Sequence, residues 1–127
     1  MKDWRPIVKY SDKFLDYISW FMRIGGISLF PFIILREKYQ NGDKFWTERG
    51  KRTINHESIH FQQQLELLVI PFYIIYLLEW FLKLFIYGGK AYYNISFERE
   101  AYNNDENFNY LNTRKRYNWI KLIFNGK

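Results

Sequence analysis

The chain contains no cysteine among its 127 residues. Disulfide bonds and thiolate-ligated metal sites are therefore excluded, although this absence says little about the redox compartment. The length suits a single domain covering residues 1–127 and is too short for two. No internal repeat, low-complexity region or domain linker interrupts the sequence. No cleavable signal peptide is expected, because Asp3 and Pro6 stand at the start and no small-residue cleavage site follows an apolar stretch.

Histidine is almost as scarce as cysteine. The only two histidines, His56 and His60, stand four residues apart, and Glu57 follows the first. On a helix this spacing keeps both imidazoles on one face. Neutral imidazole is a good zinc ligand, and a neighbouring glutamate can take the proton of an activated water. The HExxH pattern predicts one zinc ion held by both histidines, with Glu57 as the general base. The alternative is a chance match whose histidines are hydrogen-bonded core residues.

A catalytic zinc site of this kind needs a third protein ligand. Glu66 is rejected, because on a continuous helix it points about 240° around from His60. Glu98 lies on a second predicted helix and shares one stripe with Ala101, whose small side chain lets that helix approach closely. Glu100 points about 200° away from Glu98. We predict that Glu98 is the ligand; the alternative is that both Glu98 and Glu100 are solvated charges on an exposed helix.

Taken together, these residues resemble a known family. His56-Glu57-x-x-His60 followed by Glu98-x-x-Ala101 is similar to the gluzincin metallopeptidases, and the short chain resembles their small, minigluzincin-like members. The resemblance implies a zincin-like core in a helix-dominated α+β fold, with an edge strand, an HExxH helix and a downstream glutamate helix. It also implies that His56, His60 and Glu98 bind the zinc ion and that Glu57 is the general base.

One position departs from the family pattern. Tyr102 stands where many members carry an aspartate that orients a ligand histidine. The hydroxyl of Tyr102, or Asp105 almost one turn later, would then accept the histidine N–H. Tyr102 and Arg99 are also near the predicted site in sequence, but neither is assigned as the group that stabilises a negatively charged reaction intermediate.

The segment before the motif is β-branched and aromatic, which predicts a strand near residues 27–36. The family resemblance implies that such a strand lies beside the metal and pairs with an extended peptide substrate. Pro31 suits an edge position. Three glutamines follow the motif, but only Gln63 or Gln64 shares the histidine face, and glutamine is an equally good surface residue.

A long apolar run over residues 67–87 contains only two charged residues, Glu79 and Lys83. Their i, i+4 spacing allows them to pair on one helix face. The run is long enough to span a membrane, and Trp80 and Tyr87 are the aromatics expected near lipid headgroups. The alternative is a buried core helix. An aromatic content of 22% and a net charge of +6 also favour contact with an amphipathic, anionic partner.

The remaining pattern predicts the order of elements. We expect a helix near 11–24, the strand near 27–36, a second short strand near 44–48 and the motif helix from about residue 54, with Thr53 as a possible N-cap. This helix runs into or towards the 72–87 segment, where Pro71 marks a kink or a fresh start.

A helix near 96–112 carries Glu98. The basic, aromatic segment 114–124 is expected to form an interfacial helix or a surface helix that packs Trp119, Ile120 and Ile123 onto the domain.

These patterns predict a membrane-associated, zinc-dependent hydrolase, specifically a metallopeptidase that acts on a peptide or a membrane-proximal protein. Two other classes remain open. One is a membrane-associated binding module with a structural or degenerate metal site. The other is a basic, aromatic-rich nucleic-acid binder, but a nucleic-acid partner is not expected because no recognised binding motif is present. A cytoplasmic location is the alternative to membrane association.

Overall fold

A small mixed sheet and one long helix organise the fold around the histidine pair. The computed structural model describes residues 6–18 and 25–124. Within these ranges the chain is α+β and helix-dominated, as the sequence predicts. The strands are β1 (Ile7–Tyr10), β2 (Gly26–Leu29) and β3 (Phe32–Leu35), and the helices are α1 (Asp12–Ile18), α2 (Lys38–Asn41), α3 (Lys44–Glu66), α4 (Ile70–Tyr87), α5 (Ser96–Asn104) and α6 (Tyr110–Thr113). Short 3₁₀ segments cover Gly88–Lys90, Tyr92–Asn94 and Asn118–Leu122.

The sheet has β3 in its centre, in the order β1-β3-β2. β1 runs parallel to β3, whereas β2 is antiparallel to it and pairs Ser28 with Ile33. Ile33 and Leu35 are fully buried. The long helix α3 packs against β2 and β3, and the ring of Phe61 on α3 stacks on that of Phe30 at 5.3 Å. β2 is therefore the edge strand that lies beside the motif helix.

Two sequence predictions for the N-terminal half need correction. The single strand expected near 27–36 is a hairpin of β2 and β3, because the chain turns at Phe30 and Pro31. Pro31 has no N–H for a ladder, which suits a turn between two strands. The helix expected near 11–24 is present as α1 up to Ile18. Residues 19–24 of that prediction lie outside the described residues.

Helix α3 begins at Lys44, not near residue 54. Asp43 is its N-cap, and the side chain of Asp43 accepts a hydrogen bond from the backbone N–H of Trp46 at 3.2 Å. The second strand expected near 44–48 is therefore wrong. Aromatic residues there favour a strand in isolation, but the cap begins a helix. Thr53 is not an N-cap, because it lies inside α3 and its hydroxyl donates to the backbone oxygen of Arg49 at 2.9 Å.

The motif helix and the apolar helix are separate elements. Leu68 and Val69 have left-handed backbone angles, with φ of 59° and 70°. The N–H of Val69 donates to the backbone oxygen of Gln64 at 2.7 Å, which closes the end of α3 as in a Schellman motif. Glycine is usual in left-handed positions, so leucine and β-branched valine are strained here. Pro71 then lies in the first turn of α4, where it suits a fresh start.

The helix expected near 96–112 is also divided. α5 ends at Asn104, and the short helix α6 follows after a turn. The segment 114–124 forms a 3₁₀ turn rather than a longer helix. Trp119 is buried with its ring 4.6 Å from that of Phe97, and Ile123 packs against the same cluster, whereas Ile120 is exposed. The packing expected for this segment therefore holds for Trp119 and Ile123 and is wrong for Ile120.

Candidate metal centre

Two histidines of α3 and one glutamate of α5 meet at a single point. Oε1 of Glu98 lies 3.1 Å from Nε2 of His56 and 3.1 Å from Nε2 of His60. The two imidazole rings lie 4.9 Å apart, because four residues along α3 return the chain to the same face. All three side chains are buried. The helix packing of α3 against α5 thus brings three candidate metal-ligand atoms together.

Glu57 lies beside this group, towards the edge strand. Its Oε2 is 3.9 Å from Nε2 of His56. Candidate ligand atoms of His56, Glu57 and His60 lie within 4.8 Å of one another. The backbone of Ser28 on β2 also makes a hydrogen bond with the Glu57 carboxylate. Because Glu98 is closer to His56 Nε2 than Glu57 is, Glu98 is better placed to share one ion with both imidazoles.

The other nitrogen of each imidazole faces a hydrogen-bond acceptor. Nδ1 of His56 lies 3.0 Å from Oδ2 of Asp105, whose Oδ1 accepts a hydrogen bond from Nε of Arg52 at 2.9 Å. Nδ1 of His60 lies 2.8 Å from Oε1 of Gln63. These acceptors favour a hydrogen on each Nδ1, which leaves the lone pair of a neutral imidazole on Nε2. In the metal-free chain both Nε2 atoms therefore donate to Glu98, and once deprotonated they direct their lone pairs to that same side.

The amide of Gln63 is itself held in one orientation. Its Nε2 donates to the backbone oxygen of Phe97 at 3.1 Å and to Oε1 of Glu100 at 2.9 Å. Because both of these partners are acceptors, the amide nitrogen faces them and the amide oxygen faces His60. Sequence analysis left Gln63 as an equally good surface residue. The HExxHxxQ spacing was the available signal for its role, but its partners on α5 are distant in sequence.

Glu66, which helix geometry excludes as a ligand, and Glu100, which was less favoured than Glu98, form a separate buried network. Arg114 donates to both carboxylate oxygens of Glu66, at 2.7 Å and 3.0 Å, and its Nε donates to Glu100 at 2.6 Å. The hydroxyl of Tyr110 also donates to Glu100. Among the contacts of the described residues, neither of these carboxylates bonds to a histidine nitrogen. This network fixes Glu100, which in turn orients Gln63.

Tyr76 of α4 supplies a contact that no local sequence signal indicated. Its hydroxyl donates to Oε2 of Glu98 at 2.6 Å. Oε1 of the same carboxylate faces the two histidines. One oxygen of Glu98 is therefore held by α4 while the other points to the candidate metal position. The sequence separation of 22 residues explains why only the folded chain reveals this pair.

The electrostatics follow from burial and close contacts. Burial alone would lower the pKa of His56, but hydrogen bonds to Asp105 and Glu98 and the charge of Glu57 raise the pKa to about 10. Burial alone would raise the pKa of Glu98, but the charge of His60 and hydrogen bonds from both histidines lower the pKa well below its usual value. Burial raises the pKa of Glu57 despite the nearby histidines. The cluster thus combines an ionised Glu98 with a more basic Glu57.

The donor set fits a zinc ion on geometric grounds. Zinc binds imidazole nitrogen at about 2.0–2.1 Å, and in tetrahedral geometry this separates neighbouring ligand atoms by roughly 3.3 Å. The distances from Oε1 of Glu98 to the two Nε2 atoms, 3.1 Å each, are close to that value. Two imidazoles and one carboxylate are also a ligand set known for catalytic zinc. The buried polar partners on the outer side of each ligand add to this fit.

Tyr102 and Arg99 take other positions. The ring of Tyr102 packs edge-on against His56 at 4.5 Å, but its hydroxyl lies 3.4 Å from that of Tyr92. Of the two residues considered for the histidine N–H, it is Asp105 that lies at Nδ1 of His56. Arg99 donates to the backbone oxygen of Leu122 at 2.7 Å and to Oδ1 of Asn94 at 2.8 Å, so it fastens the C-terminal segment.

A cleft of about 380 Å³ reaches the site from the surface. His56 and Glu57 line it together with Gly26 of the edge strand. Four tyrosines and two arginines also line it: Tyr39, Tyr92, Tyr93, Tyr102, Arg49 and Arg52. The cleft therefore brings aromatic and basic side chains beside the glutamate that stands next to the histidines.

Comparison of the chain with models of known protein families, with curated proteins and with solved structures found no match. The candidate site is therefore judged by its residues and geometry.

Proposed function

We propose that this protein is a membrane-associated, zinc-dependent hydrolase, specifically a metallopeptidase with a zincin-like core. The observation that carries the proposal is the convergence of Nε2 of His56, Nε2 of His60 and Oε1 of Glu98, with both nitrogens 3.1 Å from the carboxylate oxygen. Glu57 stands beside this group with its Oε2 3.9 Å from His56. The arrangement supports His56, His60 and Glu98 as ligands and Glu57 as the general base.

When bound, zinc would polarise the substrate carbonyl and lower the pKa of a water. Glu57 accepts the proton of the attacking water and later returns it to the leaving amine nitrogen. Burial raises the pKa of Glu57, which makes its carboxylate a stronger base than an exposed one. Asp105 and Gln63 hold the two imidazoles, so the ligands need no reorganisation when the metal enters.

A peptide is the substrate class that the cleft favours. The backbone oxygen of Ser28 on β2 already accepts hydrogen bonds from Nε2 of Gln64 at 3.0 Å and from the Tyr73 hydroxyl at 3.2 Å, so this acceptor of the strand is occupied within the protein. Gly26, two residues earlier on the same strand, lines the cleft. Alternate residues of a strand direct their backbone groups to the same edge. An extended peptide would therefore pair at Gly26, next to Glu57.

A membrane-associated binding module with a structural metal is the second candidate. The observation that favours it is the burial of the ligands, since His56, His60 and Glu98 are only 6%, 5% and 4% exposed. Structural zinc sites are closed, whereas catalytic sites keep one position open. The cleft that reaches His56 and Glu57 supports the hydrolase over this alternative.

The membrane association rests on α4. α4 with the 3₁₀ turn that follows it, residues Ile70–Lys90, is long and apolar enough to cross a membrane, and only 11% of its most apolar stretch is buried. Gly89 and Tyr93, which follow α4 closely in the chain, line the cleft. A site entered at this point suits a substrate segment close to the membrane surface.

The proposal is tested by comparing wild type, Glu57→Gln and Glu48→Gln. Glu48 is an exposed residue of the same helix and serves as the matched control. Zinc content is measured by mass spectrometry of the purified protein, and hydrolysis is measured on a mixed peptide library. We expect one zinc ion in all three proteins and hydrolysis lost only in Glu57→Gln. Stoichiometric zinc without any wild-type cleavage would favour the binding module instead.

A further inference from the structure

The outward face of α4 is a continuous apolar stripe. Its members recur at intervals of one to four residues along the whole helix, and each is between 53% and 78% exposed. They are Ile70, Ile74, Leu77, Leu78, Phe81, Leu82, Phe85 and Ile86. A soluble protein rarely leaves so large an apolar face in contact with water. We call this set the α4 stripe.

The opposite face of α4 is packed against the body of the protein. The two charged residues of the helix lie on this inner face, where Lys83 donates to Glu79 at 2.7 Å and to the backbone oxygen of Asn94. The carboxylate of Glu79 accepts hydrogen bonds from the backbone N–H and the hydroxyl of Ser96, at the start of α5. Glu79 and Lys83 are only 9% and 6% exposed. The charges that interrupt the apolar run are therefore satisfied within the chain.

Polar contacts of the inner face extend from one end of α4 to the other. Near its start, the Tyr73 hydroxyl donates to the backbone oxygen of Ser28. At its end, the hydroxyl of Tyr87 accepts a hydrogen bond from Nη2 of Arg99 at 3.1 Å. If α4 crossed the bilayer, these polar partners would lie in hydrocarbon along the whole length of the helix. Transfer of charged or unsatisfied polar groups into hydrocarbon costs free energy.

We propose that α4 lies in the plane of an anionic lipid bilayer surface, with the α4 stripe inserted at the boundary between headgroups and acyl chains, and that it does not span the membrane. Only this orientation lets one face meet lipid while the other keeps its polar contacts. The inference rests on the membrane association proposed above and is independent of the zinc chemistry.

Charge around the helix favours an anionic surface. Exposed Lys90 ends the 3₁₀ turn that follows α4. The C-terminal segment, which packs through Trp119 into the cluster with Phe72 of α4, carries the exposed residues Lys115, Arg116 and Lys121. Neither residues 87–95 nor residues 115–124 contain an aspartate or glutamate. Basic residues at the surface attract anionic headgroups.

A lipid surface also fits the chemistry of the stripe better than a second copy of the chain does. Every exposed residue of α4 is apolar or aromatic, and none carries a charge that would set the register of a protein partner. Ile120 and Phe124 in the C-terminal segment add further exposed apolar groups, at 51% and 94% exposure. Apolar side chains of this kind insert into a fluid interface without needing a complementary surface.

The first experiment is flotation with phosphatidylcholine vesicles, with and without phosphatidylglycerol. We expect binding to the anionic vesicles and weaker binding to the neutral ones. Phe81→Glu should reduce the partition coefficient roughly tenfold or more. Phe45→Glu is the matched control, because Phe45 on α3 is 57% exposed against 53% for Phe81. An equal loss in both variants, or equal binding to both vesicle types, would contradict the proposal.

The second experiment measures depth in the bilayer. The chain has no cysteine, so single cysteines at Ile74, Leu78, Phe81 and Phe85 can each carry a spin label. An in-plane helix predicts similar, shallow depths at all four positions. A spanning helix predicts greatest depth near Leu78 and shallow ends, which would overturn the inference and leave membrane association intact. If wild type does not float with the vesicles and has twice the monomer mass in solution, it is a dimer. This result would overturn both the in-plane inference and the membrane association. Zinc content measured on the same samples reports separately on the metal site.

Discussion

Oε1 of Gln63 lies 2.8 Å from Nδ1 of His60, three residues back along the same helix. The amide is oriented by its donations to Phe97 and Glu100 on α5, so its oxygen can only accept from the imidazole. In the metal-free chain the Nε2–H of His60 therefore donates to Glu98, and loss of that proton leaves an Nε2 lone pair directed to the same position. A glutamine in the second helical turn of the motif thus sets which imidazole nitrogen of a candidate ligand faces the metal position.

Removing this acceptor should weaken metal binding. We expect Gln63→Leu to raise the dissociation constant for zinc roughly 10-fold to 100-fold, because His60 loses the partner that orients its ring. Competition with a fluorescent chelator measures the change. Gln62→Leu is the control, since Gln62 is only half-buried and adjacent in the chain. Equal zinc affinity in Gln63→Leu and wild type would show that Gln63 does not orient the ligand.

Tyr76 offers a second test of the ligand shell. Tyr76→Phe removes the hydroxyl that donates to Oε2 of Glu98 at 2.6 Å and keeps the ring. We expect zinc affinity to fall about tenfold, together with a loss of about 1–3 kcal/mol in unfolding free energy, because Oε2 of the buried Glu98 loses its donor. The same titration on Tyr17→Phe should show no change, because Tyr17 is 84% exposed. A fall in stability with unchanged zinc affinity would mean that Tyr76 has only a packing role.

The metal-free and zinc-loaded proteins should respond to pH in opposite ways. In the metal-free chain, contacts with Asp105 and Glu98 raise the pKa of His56 from 6.5 to about 10. A raised pKa in the folded state contributes stability that is complete below pH 6.5 and is lost as pH rises towards 10. Zinc needs a deprotonated Nε2, so its affinity should instead increase over the same range.

Urea unfolding with a chelator and with excess zinc, at several pH values above 6.5, measures both trends. We expect the free energy of unfolding of the metal-free protein to fall with pH while the gain in stability from zinc increases. A metal-free protein that becomes more stable across this range would show that His56 is not held by its two carboxylate partners.

Arg114 should matter for stability more than for metal binding. Its side chain is 5% exposed and pairs with Glu66 and Glu100, at 2.7 Å and 2.6 Å. Arg114→Met leaves both carboxylates buried without their cation, and breaking a buried pair in this way costs about 3–5 kcal/mol. Chemical denaturation measures the loss. Arg116→Met, at an exposed position, should stay within about 0.5 kcal/mol of wild type. Equal stability of the two variants would contradict a structural role for the network.

The part of the fold that could be predicted from sequence is the part set by local periodicity. The four-residue spacing of His56 and His60 and the stripe through Glu98 depend only on helix geometry, and these three side chains do meet. Pairing of Glu79 with Lys83 follows from the same rule. Helix periodicity alone, however, does not say which elements will pack together.

The errors arose where local preference and tertiary structure disagree. No glycine marks the break between α3 and α4 in the sequence, because the bulky residues Leu68 and Val69 take the left-handed positions. The first turn of α3 has strand-favouring aromatics, but the Asp43 cap makes it helical. Gln63 and Tyr76 act at the site through partners 34 and 22 residues away, which no local pattern encodes.

Anomalous X-ray diffraction at the zinc edge, on crystals of the zinc-loaded wild-type protein, tests the central claim most directly. We predict one peak, about 2.0–2.2 Å from Nε2 of His56, Nε2 of His60 and one carboxylate oxygen of Glu98. Glu57 should remain beside the ion without being a ligand. The absence of a peak at the two Nε2 atoms, or a peak bound by Glu57 in place of Glu98, would contradict the account.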